Sequence, residues 1–409
     1  MKKIALLLMT SMVITANAAT TEELERRIDI LAEEITQLKA SQQNIGTGQE
    51  AFGLGQAASK VYFINQGLSI GGYGEAVYNN QSAEDESGEA TDREPTAEAL
   101  RNVIYLGYKY NDKWIMNTEI EIEHVNETFT EFMYIDYLAS EELNYRFGLS
   151  LIPMGITNEL HEPIYFNSVK RSEIETYLIP STWRELGVGA FGALGKWNYK
   201  AFLYNGPDAD EIAANISNGI RKGRKKGGVE DNASTAVAMI NADYNWSTAN
   251  SLGFSLMQGS GSSDNEDEDN PDMDLRISEL HGQFRVDQIG ITFVMARVNF
   301  LNSEDWNDAS TNKIPEIMQG GFLEFDYSIE LSKARVLKPF VRFEKYDLNQ
   351  SVDSDSYGDK NQKLERQNLL AGISYRPIDR IVFKFDHAWK KNAAETGVNE
   401  FNLGLGFLY

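Results

Sequence analysis

From Gly67 to Tyr409, apolar residues fall on alternate positions in short segments joined in turn by tight turns and by long acidic loops. Period-two alternation sends successive side chains to opposite faces of a sheet. In 114–123, Trp114, Met116, Ile120 and Ile122 face one way, while Asn117, Glu119, Glu121 and Glu123 face the other. In 143–151, Leu143, Tyr145, Phe147, Leu149 and Leu151 form the apolar row, against Asn144, Arg146 and Ser150. The first segment sets Leu68, Ile70 and Ala76 against Ser69, Tyr73 and Glu75, and the last alternates Phe401, Leu403, Leu405, Phe407 and Tyr409. Tight turns are expected near Asn111-Asp112, Ser140 to Glu142, Leu194-Gly195, Asn245, Asp287-Gln288, Ser328 to Ala334 and Pro377 to Asp379. Eight loops on one side and seven turns on the other predict an all-β fold, a transmembrane antiparallel β-barrel of about sixteen strands. Lipid then meets the apolar row and water the polar one. Tyr105, Tyr108, Tyr110, Trp114, Tyr134, Tyr137, Tyr327, Tyr375 and Trp389 are expected in interfacial girdles.

The first 66 residues follow other rules. Lys2 and Lys3, the apolar run Ile4 to Val13 and the site Ala16-Asn17-Ala18 predict a secretory signal peptide over 1–18. Leu24, Ile28, Leu31, Ile35 and Leu38 step by four and three, which predicts a short N-terminal coiled-coil helix over 19–43, in the periplasm. Residues 44–66 carry Gly46, Gly48, Gly53 and Gly55 and form a linker, either a flexible tether or a segment that enters the barrel; the barrel is 67–409.

Composition narrows the chemistry. A formal net charge of -23 speaks against nucleic acid as a partner. With no cysteine there is no disulfide, thiolate metal site or cysteine nucleophile. None of the four histidines has a Ser-His spacing, His161-Glu162-Pro163 is not a zinc-protease motif, and the acidic run at 265–274 lacks the glycine turn of a calcium loop. No enzyme, metal or cofactor is expected. The basic run Arg221, Lys222, Arg224, Lys225 and Lys226 either gathers anions at the outer mouth, dips into the lumen, or is a solvated loop. Alternation places Arg101, Lys109, Glu119, Glu121, Glu123, Arg146, Arg297, Lys338, Arg342, Arg366, Arg376 and Lys384 in the lumen. Inward acids nearly balance inward bases, so charge alone leaves the sign of selectivity open; Arg366, Arg376 and Lys384 are candidates for one basic wall, and Glu119, Glu121 and Glu123 for an acidic wall elsewhere.

GLGQAASKVY followed by GLSIGGYGEAVY resembles the start of bacterial porins that carry a short periplasmic coiled coil. RFGLSLIPMGITNELHEP, then RSEIETYLIPSTWRELGVGAFG, is similar to the third-loop region of the phosphate-selective porin O and P family, and NGIRKGRKKG also looks family-like. The resemblance implies a homotrimeric channel whose third loop folds inward. It marks Asn158, Glu159, His161, Glu162, Lys170, Arg171, Glu173, Glu175, Arg184 and Glu185 as constriction candidates, unless those residues merely fix a folded loop. The expectation is a porin of the Gram-negative outer membrane passing small hydrophilic solutes or ions, with an anion or phosphate preference and with lipopolysaccharide around it. The alternative is an envelope-structural barrel anchored by its coiled coil.

Overall fold

The computed structural model describes residues 49–224, 233–263 and 270–409. The signal peptide, the coiled-coil helix and Lys225-Lys226 lie outside the described residues. The strands are β1 (Gly67–Gln81), β2 (Thr96–Lys109), β3 (Trp114–Glu123), β4 (Glu127–Leu138), β5 (Asn144–Leu151), β6 (Arg184–Leu194), β7 (Trp197–Asn205) and β8 (Ala236–Ser247). There follow β9 (Asn250–Gly261), β10 (Met273–Val286), β11 (Ile289–Phe300), β12 (Ile317–Tyr327, prolonged by Ile329–Ser332), β13 (Arg335–Ser351), β14 (Glu365–Ile378), β15 (Ile381–Asn392) and β16 (Glu400–Leu408). Both pieces of β12 pair with β13, so the 17 strand segments make sixteen staves.

All neighbours are antiparallel, and β1 pairs with both β2 and β16, which closes the sheet. Closure removes every free edge, the condition for a β-structure in hydrocarbon. The last residue fastens the seam: Tyr409 and Gly72 exchange backbone hydrogen bonds of 2.9 and 3.1 Å, and the Tyr409 hydroxyl donates to the Val103 carbonyl at 2.8 Å. Asp287 takes φ 52° in the tight β10–β11 turn, a left-handed conformation that Asp tolerates. The turn predicted at Asn245 falls instead at Thr248-Ala249, because β8 runs on to Ser247.

The outer wall is apolar over its turn-side half, where Trp114, Tyr137 and Tyr145 touch in series, as do Trp197, Tyr244, Trp246 and Phe284. That is a girdle on the turn side. Tyr105 and Tyr134, expected in a girdle, are both 2% exposed and point inward into a ring cluster with Phe132.

On β8 to β13 the alternation inverts towards the loops. Met273, Leu275 and Ile277 face inward and are fully buried, while Arg276 on the same strand is exposed. Val294, Ala296, Val298 and Met318 are likewise buried inside, with Arg297 exposed outside. These inner rows pack on Ile152, Met154, Ile174, Leu178, Ile179 and Trp183 of the loop after β5. One side of the barrel therefore has a solid apolar core near its loop end, and its outer surface at that level is polar. Such a stretch suits water on the outside rather than lipid.

Candidate functional site: the barrel interior

The loop between β5 and β6 lies inside the barrel. Asn158 ties its two ends together: Nδ2 donates to the carbonyls of Ile152 and Trp183, and Oδ1 accepts from the Trp183 N–H at 2.8 Å. Glu175, on the one-turn helix α1 (Ile174–Tyr177), accepts from the N–H groups of Ile156 and Thr157 at 2.8 and 2.7 Å. Both side chains are buried, so these bonds satisfy backbone groups that water cannot reach. His161 Nδ1 lies 3.0 Å from the Asn158 carbonyl, and its Nε2 lies 3.2 Å from Glu119 Oε1 and 3.4 Å from the Tyr105 hydroxyl. Burial, with Arg171 nearby, lowers His161 to about 4, so its imidazole is neutral at pH 7.

Polar arms join this loop to the wall. Lys170 pairs with Glu400 at 2.7 Å, and Arg184 with Glu131 at 3.0 Å. Glu159 pairs with Lys200, and Glu185 accepts from Trp183 Nε1 at 3.1 Å. Glu173 accepts from Lys390 at 2.8 Å, from Asn368 at 2.9 Å and from Tyr346. Burial pushes the Glu173 carboxyl up, but Lys390 and these hydrogen bonds outweigh it and hold the group at about 2.

A second segment enters from the turn side. Residues 51–63, ending in the one-turn helix Lys60–Phe63, pack Leu54, Ala57 and Ala58 against Tyr73, Val103, Phe132 and Leu151. Leu151, expected to face outward, is 3% exposed in this inner cluster, because the strand ends where the inward loop begins. Tyr62 donates to Asp136 at 2.7 Å, and Asp136 is itself gripped by Arg146 through bonds of 2.8 and 2.9 Å. The Arg146 guanidinium sits 3.8 Å from the centre of the Tyr134 ring. Glu162 joins both intruders: its Oε1 accepts from the N–H groups of Ala57 and Ala58, each at 3.0 Å. Inward glycines make the room. A Cβ on Gly107 would collide with Val61, and one on Gly406 would press on Pro163 at 2.5 Å. Of the two forms offered by the sequence for 44–66, the described part takes the one that enters the barrel.

Between the loop and the β7–β13 wall remain polar cavities. One, of about 480 Å³, is lined by Glu159, Lys200, Asp243, His281, Arg285 and Asp326 among others. Another, of about 120 Å³, shares Arg285 and Asp326 with it and adds Glu324, Lys338 and Arg342. Arg285 grips Asp326 at 2.8 and 3.0 Å, and His281 sits 2.9 Å from both Asp243 and Glu279. Acids and bases alternate around this space. Towards the loop end, guanidiniums gather on residues 181–184: Arg171 donates to Ser181, Arg224 donates to Thr182 at 2.7 Å, and Arg184 follows in the chain. Burial, then Arg221 beside it, pushes Arg224 down to about 9; burial and Arg171 likewise lower Arg221. Of the basic run, then, Arg221 and Arg224 turn onto the inward loop, while Lys222 is exposed.

The charges placed in the lumen by alternation fall as follows. Arg101 lies inside within 3.1, 3.3 and 3.2 Å of Glu75, Glu121 and Glu123, so the acidic row of β3 meets a base. Lys109, Arg146, Lys338, Arg342, Arg366, Arg376 and Lys384 also lie on inward positions, and Glu119 and Glu121 are buried there. Arg366, Arg376 and Lys384 do not form one wall. Arg366 donates to Tyr346 and to the Ser217 carbonyl, Arg376 to the Ile164 carbonyl, and Lys384 covers the Phe166 ring at 3.5 Å. Arg297 is a correction: it is exposed on the outer wall and donates to Asn299 at 3.2 Å. Both rows of β11 are apolar, so alternation alone does not tell its inner row from its outer one, and the inner row belongs to a packed core. Asp243, His281, Glu131 and Tyr62 were not singled out in the sequence; the small residues of 53–58 and the inward glycines facing them were the available signal for Tyr62.

No protein-family model matches the chain. Three solved porin-type structures share its fold: Salmonella typhi OmpF in complex with daunomycin (TM-score 0.56, 10% identity), the outer membrane channel DcaP of Acinetobacter baumannii (0.55, 10%) and an anion-selective porin from Comamonas acidovorans (0.52, 9%). Each comparison covers 84% of this chain and 98%, 97% and 99% of the respective neighbour. A protein of Aquifex aeolicus described as uncharacterized is 33% identical over 353 residues, which is 82% of this chain and 78% of that protein. The chain belongs to the family of that Aquifex aeolicus protein, and it has the closed sixteen-stranded barrel fold of outer-membrane porins.

Proposed function

We propose that this barrel is a porin of the Gram-negative outer membrane, passing small hydrophilic solutes and ions by diffusion, with a preference for anions such as phosphate. The observation that carries the reading is a closed barrel whose interior keeps polar cavities beside an inward-folded loop. There is no chemical step. Water and paired charges along the path replace part of a solute's hydration shell, and facing acids and bases orient it. The anion preference is supported by Arg171, Arg184, Arg221 and Arg224 at the loop end, whose mutual repulsion an entering anion relieves. The constriction candidates act in two ways in this reading. Asn158, His161, Glu162, Glu175 and Glu185 shape the loop, while Glu159, Lys170, Arg171, Glu173 and Arg184 set the field along it. A homotrimer, a signal peptide over 1–18 and a coiled-coil helix over 19–43 complete the proposal. Single-channel recording in planar bilayers tests it, with the reversal potential in a salt gradient and competition by phosphate. Absence of conductance steps refutes the porin, and cation preference without phosphate block refutes the anion preference.

One observation favours the envelope-structural alternative: residues 51–63 and the inward loop fill much of the lumen. Deleting residues 20–43 separates the two. A porin keeps its conductance, whereas an anchor loses envelope integrity and conducts negligibly with or without the deletion.

A further inference from the structure

The outer wall carries a groove at the level where its alternation inverts. About 860 Å³ in volume, it runs across β10 to β13. The pairing register places Leu280, Met295, Gly321 and Lys345 in one row across the four strands. The next row towards the turns holds Phe293, Leu323 and Phe343, and the next towards the loops holds Ser278, Arg297 and Gln319. Gly321 leaves the depression between Met295 and Lys345, with apolar walls below and a polar rim above. That rim marks the height at which the outer wall changes from hydrocarbon-compatible to water-compatible, which is where lipid headgroups lie. The rim is basic on the β10–β11 side: Arg276 donates to the amide of Gln258 at 2.9 Å and Arg297 to that of Asn299 at 3.2 Å. Asp347, on the same rim, already accepts from the Asn349 N–H at 2.8 Å. Lys345 meets Glu365 at 3.4 Å, with both side chains about half exposed, so it can swing to another anion.

We propose that this groove is a binding site for a phosphate-bearing lipid of the outer leaflet whose headgroup carries net negative charge, with an acyl chain over Gly321 and between Met295, Leu323 and Phe343, and the phosphate on Arg297 and Lys345. Guanidinium and ammonium groups at the end of an apolar channel match an anionic headgroup on a chain. The site lies outside the lumen, so its failure leaves the transport reading untouched, and conductance recorded in parallel keeps the two apart.

The test is native mass spectrometry of the detergent-purified, folded barrel with added phosphatidylglycerol or phosphatidylcholine. Retention of phosphatidylglycerol should exceed that of phosphatidylcholine by about tenfold, and the Arg297→Gln/Lys345→Gln pair should abolish the difference while single-channel conductance stays the same. Met295→Trp, which fills the groove without touching the rim charges, should lower retention of both lipids. Equal retention of the two lipids by the parent protein, or undiminished phosphatidylglycerol retention in the double variant, overturns the proposal. So does a Met295→Trp protein that keeps its lipid but changes oligomeric state, since a second copy would then cover the face.

Discussion

Glu162 is the joint between the two segments that fill the barrel, and its removal should free one of them. Its Oε1 is the hydrogen-bond acceptor for the N–H groups of both Ala57 and Ala58, each 3.0 Å away, and the side chain is fully buried. In Glu162→Ala those two donors lose their acceptor in a dry site, at a cost of roughly 1 to 3 kcal/mol each. Even about 2 kcal/mol in total changes a docked-to-released ratio about thirtyfold. Burial raises the Glu162 carboxyl to about 8, more than the two N–H bonds lower it. The docked pKa therefore lies above the ordinary value of 4.5. Docking then binds a proton: the stabilisation is complete below about 4.5 and is lost as pH rises towards about 8. The chain has no cysteine, so Val61→Cys gives a single, nearly isosteric probe that is buried while the segment is docked. Its labelling by a charged maleimide, normalised to a free thiol at each pH, should quicken from pH 5 to 8. Glu162→Ala should raise the rate by about thirtyfold at pH 6. Glu162→Gln keeps a carbonyl acceptor and should keep the segment docked while flattening the pH profile. Unchanged labelling in Glu162→Ala, or a full pH profile surviving in Glu162→Gln, refutes the reasoning.

Other perturbations probe the remaining contacts. Gly107→Val, which drives a side chain into Val61, should expel the same segment and raise mean conductance in planar bilayers; unchanged conductance argues against this segment as an obstruction. Arg171→Gln with Arg224→Gln should move the reversal potential towards cation preference, and no movement removes these arginines from the selectivity argument. Lys390→Met strips Glu173 and Glu400 of a shared cation. Breaking a largely buried pair costs roughly 3 to 5 kcal/mol. The loss should show as a lower unfolding temperature in the gel shift of heated samples, and a neighbouring Glu173→Gln change should restore part of it.

The barrel was legible because lipid makes one face of each strand apolar, and a two-residue period survives any uncertainty in loop length. Residues 119–123 of β3 and 400–407 of β16 show it best: there the charged, polar or small residues alternate with greasy ones without a break. The alternation was least informative on β10 and β11, where the inside is as apolar as the outside. Met273, Leu275 and Ile277 are inward because the loop packs on them, and nothing in the local period distinguishes a core-facing isoleucine from a lipid-facing one. Arg297 was misplaced for the same reason. The loop residues could be gathered by resemblance but not given partners: Glu175 serves a backbone 18 and 19 positions away, and Glu162 one more than a hundred positions away. Such pairings depend on the closed barrel bringing distant turns to one level.

The two fillings of the lumen are unequal, and that inequality locates the path. The inward loop is anchored on several sides at once, through Asn158 to its own ends, Lys170 to β16, Arg184 to β4 and Glu173 to β13, β14 and β15. It also carries an apolar core shared with β8 to β12. Displacing it would break ion pairs and expose that core together, so it is a fixed wall. Residues 51–63 bury Leu54 and Val61 beside small side chains and make a few polar contacts: Glu162, the Tyr62–Asp136 bond, Asn117 to the Ala58 carbonyl and Lys60 to the Ile70 carbonyl. Gly55, Ala57 and Ala58 bury little area each and lie on the β1–β5 side, whereas Phe52 and Gly53 line the larger β7–β13 cavity. Release of this segment therefore breaks fewer ion-pair anchors than movement of the loop, and it widens the Arg285–Asp326 cavity, which Phe52 and Gly53 line. Solute flux should consequently respond to Glu162 and Gly107 more strongly than to any single anchor of the loop, a ranking that conductance of the corresponding variants measures directly.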